Sequence, residues 1–211
     1  MGTWGSGIYD NDGALDGLAS LVRLLDEETD AARVVASIGL VAWLQPVILS
    51  VHPEEVNAAV ERVRTDLGTL PADTRAALTA VLADPEKAAV PSSRSDAVRE
   101  AIGGYSSGPR IDALLRFPGA QSVITELAER AACRLDDALS SDQDLYELAA
   151  DLGAIGVLLE LQEAGLWRLG SERLARWRAG FDAADQATTE ERGFWDRYAQ
   201  RVRAGLQLLT A

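Results

Sequence analysis

Three groups of residues in this 211-residue chain have the types and spacing to do chemistry: one serine in a glycine turn, a single histidine and cysteine, and two sets of carboxylates. Gly104-Tyr105-Ser106-Ser107-Gly108 matches the G-x-S-x-G pattern. A true nucleophile elbow holds its serine on a strained turn between a strand and a helix, with a histidine and an acid brought alongside. The residues before Gly104 read as helix or loop, and the sole histidine, His52, precedes Pro53 at a helix start. The stretch therefore reads as a flexible Gly/Ser turn, and His52 as a partly exposed residue rather than a catalytic base. Cys133, spaced among Ala131, Ala132 and Leu135, reads as a small core residue rather than a reactive thiol. One cysteine and one histidine exclude a conventional structural zinc site, and a lone cysteine excludes a disulfide within the chain.

The carboxylates are the candidate metal ligands. Asp10, Asp12 and Asp16 offer hard oxygen donors beside a glycine, in a fragment that matches the start of a calcium loop but lacks its later positions. Asp144, Glu147 and Asp151 share one face of a helix and could converge with the first set in a bundle. Capping and solvation of helix ends is the competing and favoured role for both sets. No cofactor is expected; Mg²⁺ or Ca²⁺ at these carboxylates is the alternative. A ferritin-like di-iron site is not expected, because no Glu-x-x-His occurs.

The C-terminal segment interleaves aromatic residues with arginines. Trp167, Arg173, Trp177, Arg178 and Trp195 are the candidate partner-binding residues, since tryptophan and arginine dominate interface hot spots. The competing reading is core tryptophans flanked by arginines that pair with Glu172, Asp182, Glu190 and Asp196.

Helices must position all of these groups. Leu15, Leu18, Leu21, Val22 and Leu25 form one apolar stripe. Asp30 is placed to cap a nearly all-apolar helix over Arg33 to Gln45, so this helix should be central and break at Pro46. Further helices are expected from His52-Pro53 to Gly68, over Ala72 to Ala83, over Ile111 to Arg116, over Gln121 to Leu139, over Asp142 to Ala164, from Ser171 to about Ala184, and from Thr188 to Leu209. Ser141 with Asp144, and Thr188 with Glu191, read as capping pairs. Between Asp84 and Arg110 the chain is rich in Pro, Gly and Ser, with one short helix near Asp96 to Ile102. No strand-like alternation or fixed repeat is present. The expected fold is all-α, a compact bundle of eight or nine helices. It forms one domain over 1–211, with two packed halves, 1–83 and 111–211, joined by segment 84–110, as the alternative.

Charge narrows the partners. The formal net charge of −13 repels phosphate backbones and anionic membrane surfaces, so neither nucleic acid nor membrane is expected. The apolar run from Val34 to Val51 approaches spanning length, but Ser37, Gln45, Pro46 and Ser50 interrupt it, which suits a buried helix. No basic region followed by an apolar stretch opens the chain, so no secretory signal is expected. Met1-Gly2-Thr3-Trp4-Gly5-Ser6 fits the lenient myristoylation pattern, without the basic cluster that would assist anchoring.

The opening residues, MGTWGSGIYDNDGALD, describe a chain that turns on glycines, is anchored by Trp4 and caps its first helix at Asp12. Trp4-Gly5-x-Gly7, followed by Asn11-Asp12-x-Ala14-x-Asp16, resembles the start of an uncharacterised bacterial family, domain of unknown function 4259. The resemblance covers about the first thirty residues and implies a mostly helical bacterial cytoplasmic protein. It brings no reaction, cofactor or catalytic residue. The functional expectation is a non-catalytic protein-interaction module of immunity or adaptor type, with a protein partner and an oligomeric state left open. A small helical enzyme or ligand binder with a carboxylate-lined, divalent-metal-dependent pocket is the alternative, so whether the chain is catalytic also stays open.

Overall fold

The computed structural model describes residues 7–9, 25, 28–44, 46–85, 95–103, 112–188 and 192–210. Among them the protein is all-α, with ten helices and no strand, and eight of the helices are seven residues or longer. The chain divides into two compact units. One comprises Met1–Gly17, Arg94–Ser106 and Leu127–Ala211; the other comprises Leu18–Ser93 and Ser107–Glu126. The division is not between consecutive halves, because the Pro/Gly/Ser-rich middle contributes residues to both units.

The second unit holds α1 (Ala31–Leu44), α2 (Pro46–Val51), α3 (Pro53–Arg62), a 3₁₀ turn (Asp66–Thr69), α4 (Ala72–Ala83) and α6 (Asp112–Leu115). Asp30 caps α1 as expected, its carboxylate accepting the Arg33 N–H at 2.9 Å. Twelve of the fourteen residues of α1 are buried, and α2, α3, α4 and α6 all pack against it. An all-round apolar helix has no solvent face and must be central. Gly39 is required at the crossing, because a Cβ there would lie 2.6 Å from Leu114 Cβ. Pro53 opens α3 at its first position. This helix stops at Arg62 rather than Gly68, and the apolar stripe continues through the 3₁₀ turn. Arg62 ties this end down by donating to the carbonyls of Leu25 and Glu28 at 2.7 and 2.9 Å.

The first unit is built from α5 (Asp96–Ile102), α8 (Leu145–Glu163), α9 (Ser171–Ala187), α10 (Arg192–Leu208) and most of α7 (Ala120–Ala138). α10 packs against α5, α8 and α9. Residues 7–9 cross the end of α5, where Ile8 and Tyr9 donate their N–H groups to the carbonyls of Ala101 and Ile102 at 3.1 and 3.0 Å. These bonds satisfy two of the carbonyls that a helix end leaves open. Gly7 and Gly103 lie so close that a Cβ on Gly7 would sit 2.2 Å from Gly103 Cα.

The Ser141/Asp144 capping pair differs from expectation, and Glu191 of the Thr188/Glu191 pair lies outside the described residues. Asp144 caps α8 by accepting the Glu147 N–H at 3.1 Å, while Ser141 turns back and donates to the Ala138 carbonyl at the end of α7. Thr188 is buried and follows the end of α9, where its hydroxyl donates to Ala184 O at 2.9 Å and accepts the Leu145 N–H at 3.0 Å. A hydroxyl both donates and accepts, so one side chain joins two helix ends.

Candidate functional site

The aromatic and arginine residues of the C-terminal segment all lie in the first unit. Trp167, Trp177 and Trp195 are buried, so none of the three is an open face. Trp177 donates its indole N–H to Asp136 Oδ1 at 2.7 Å, and Trp167 donates to Glu129 Oε1 at 3.4 Å. Arg173 lies between these carboxylates, with Nε 2.9 Å from Asp136 and Nη1 2.7 Å from Glu129. Burial alone would lower the Arg173 pKa, but the hydrogen bonds it donates to Glu129 and Asp136 outweigh it and hold the guanidinium above its ordinary value. Arg173 also stacks over the Trp177 ring at 5.9 Å.

Two further arginines are engaged within the unit. Arg178 donates to the carbonyls of Leu206 and Leu209, capping the end of α10. Arg203 pairs with Asp185 and Asp182 and covers the Phe181 ring at 5.4 Å. Asp185 raises its pKa most, against the opposing effect of burial. Of the expected local acids Asp182 pairs with Arg203 and Glu190 lies outside the described residues, while Glu129, Asp136, Asp185 and Glu100 are partners that local spacing does not name. Trp195 makes edge-to-face contacts with Tyr198 at 5.5 Å and with the exposed Tyr146 at 6.0 Å.

The carboxylate candidates divide. Asp10, Asp12 and Asp16 lie outside the described residues, as do Trp4 and the Gly104–Gly108 turn. Asp144 is engaged as the α8 cap and Asp151 is paired with Arg134. Among the described residues, no group of three or more His, Cys, Asp or Glu side chains is placed to hold a metal ion. His52 is partly exposed, with Nδ1 3.3 Å from Glu55. Glu55's pKa is lowered first by its own backbone N–H and then by His52. Cys133 is exposed, not a core residue. Around it on α7, Ala128, Ala132 and Leu135 are buried, whereas Cys133 is exposed, with Sγ 3.6 Å from Arg173 Nη2.

An open groove of about 560 Å³ lies between α5 and α10, wholly within the first unit. From α10 come Arg197, Gln200, Arg201, Ala204, Gln207 and Leu208, a stripe at three- and four-residue spacing. From α5 come Ala97, Glu100 and Ala101. The opposite face of α10, with Tyr198, Val202 and Leu206, is buried. Glu100 and Arg201 pair within the groove. Arg197, Gln200 and Gln207 are exposed and make no hydrogen bond or ion pair among the described residues. The sequence does not mark this groove, because the packing of α5 against α10 decides which faces stay uncovered.

Comparison with family models, with curated proteins and with solved structures finds no match to the chain. Among the described residues no helix is long and apolar enough to cross a membrane.

Proposed function

We propose that the chain is a non-catalytic protein-interaction module, of immunity or adaptor type, that works in the cytoplasm. The observation that carries this reading is the α10 stripe. The arginines at 173, 178, 201 and 203 are engaged internally, whereas Arg197, Gln200 and Gln207 project unengaged from one face of the same segment, along a groove. Such side chains are suited to meet another protein. The net charge of −13 favours a protein partner over nucleic acid or an anionic membrane. The resemblance of residues 4–16 to the uncharacterised bacterial family belongs to the same reading. Affinity purification of the tagged full chain from its native host, with mass spectrometry of what co-purifies, tests it. A specific protein at stoichiometric yield is expected; a chain that repeatedly emerges alone would overturn the reading.

A further inference from the structure

We infer that the α5/α10 groove receives a single amphipathic helix of a partner protein, with small residues on its contact stripe and a carboxylate that meets Arg197. This rests on the protein-interaction reading above and names the chemistry of the partner.

Helical walls decide the occupant's form. Both walls are helices, so an extended peptide finds no strand edge to pair with. A helix needs no backbone partner, and its side-chain ridges pack into grooves lined at three- and four-residue spacing. Ala97 from one wall and Ala204 from the other are short, which lets a third backbone approach closely.

Charge decides the contact residue. Within the groove Arg201 is already balanced by Glu100, and Arg197 has no counter-charge among the described residues. The groove is therefore locally positive by one charge in a chain of net charge −13. A carboxylate on the incoming helix finds its complement at Arg197, and the Gln200 and Gln207 amides can donate and accept along the same stripe.

The probe is a displayed library of helical peptides about twenty residues long, randomised on one face and selected against the full chain. Enriched peptides should carry Asp or Glu among Ala, Ser or Leu on that face. Their affinity should fall about tenfold or more with Arg197→Glu, and also with Ala204→Trp, which fills the groove. Exchanging the peptide carboxylate for lysine should restore binding to the Arg197→Glu chain. Arg197 is exposed and unengaged, so its substitution leaves the fold intact, and an unchanged thermal midpoint checks this. Peptides that bind equally to the wild-type, Arg197→Glu and Ala204→Trp chains would overturn the groove assignment, and so would a selection that enriches none. A cellular partner that co-purifies equally with all three would overturn the groove while leaving the interaction reading intact. The absence of any partner would overturn the interaction reading itself.

Discussion

Tyr9 donates its phenolic O–H to Glu160 Oε2 at 3.5 Å, joining two residues 151 apart in sequence, and both side chains are buried. Gly156, one helical turn before Glu160, makes room for the phenol. A Cβ at 156 would lie 2.5 Å from Tyr9 Cε1 and 2.6 Å from Cζ. Residues 8 and 9 are thus held by backbone bonds to the end of α5 and by a ring seated on α8. Gly156→Ala should destabilise the protein by about 1–3 kcal/mol through overpacking, although alanine is the better helix former. In a Tyr9→Ala background the same substitution should cost nothing or stabilise. Urea unfolding of the four chains measures this, and an equal cost in both backgrounds would show that the ring is not seated there.

A second pair of glycines gives a contrast on helices of the same unit. A Cβ on Gly180 in α9 would lie 2.1 Å from the Leu139 backbone oxygen, whereas one on Gly193 in α10 would meet nothing within 4 Å. A backbone atom cannot step aside as a side chain can. Gly180→Ala should cost about 2–3 kcal/mol, and Gly193→Ala should be neutral or gain about 0.5 kcal/mol from helix propensity. Thermal midpoints that move together would contradict the close approach at Leu139.

Thr188 joins the end of α9 to the start of α8 through one hydroxyl. Thr188→Val keeps the shape but removes the acceptor for the buried Leu145 N–H, at a cost of about 1–2 kcal/mol. Thr188→Ser should stay near wild type. Hydrogen exchange at the Leu145 amide is the local readout. Protection that survives in the valine variant would mean that the N–H is satisfied elsewhere.

Divalent ions should stabilise the fold little. Asp144 already accepts the Glu147 N–H and Asp151 is held by Arg134, so an ion would have to displace both interactions. A site that binds only the native state adds about 2.7 kcal/mol at a hundredfold excess over Kd, which a melting experiment detects readily. Scans with millimolar Mg²⁺ or Ca²⁺ should overlay the metal-free scan. A large shift, abolished by Asp10→Asn with Asp12→Asn, would promote the metal-dependent alternative.

Local signals in the sequence located several helix ends. Asp84-Pro85 ends α4 where expected, Asp30 caps α1, and Ser95 sets the start of α5 by accepting the Val98 N–H. The end of α3 was misplaced because Val63 and Leu67 keep helical spacing while the backbone tightens into a 3₁₀ turn. Pairing across helices was less legible. Glu129 and Asp136 lie well before Arg173 in sequence, and only the packing of α7 against α9 makes them its partners. Glu160 did leave a trace, as a lone carboxylate in the apolar run from Ala154 to Leu161, but nothing in that run names Tyr9. The groove depends on which faces of α5 and α10 stay uncovered, which neither helix specifies alone.

The acid limb of stability should depend on Glu28 in the second unit. Its carboxylate accepts the N–H groups of Thr29 and Asp30 at 3.0 and 3.1 Å and pairs with Arg33, which also reaches Glu126. Burial would raise the Glu28 pKa, but Arg33 and the two backbone N–H groups prevail and hold it below its ordinary 4.5. A carboxylate depressed in the folded state contributes stability that is fully present above its unfolded pKa and is lost as the pH falls through its folded one. Because Arg33 is about one-third exposed, solvent screening limits the contribution to about 1 kcal/mol near neutral pH. Glu28→Gln should therefore be less stable than wild type by about that amount at pH 7. The gap should shrink as the pH drops below 4.5 and close once the folded carboxyl is itself protonated. Urea unfolding of both chains across the acid range measures the gap directly. A difference that persisted undiminished into strong acid would mean that Glu28 acts through packing, with its charge contributing nothing.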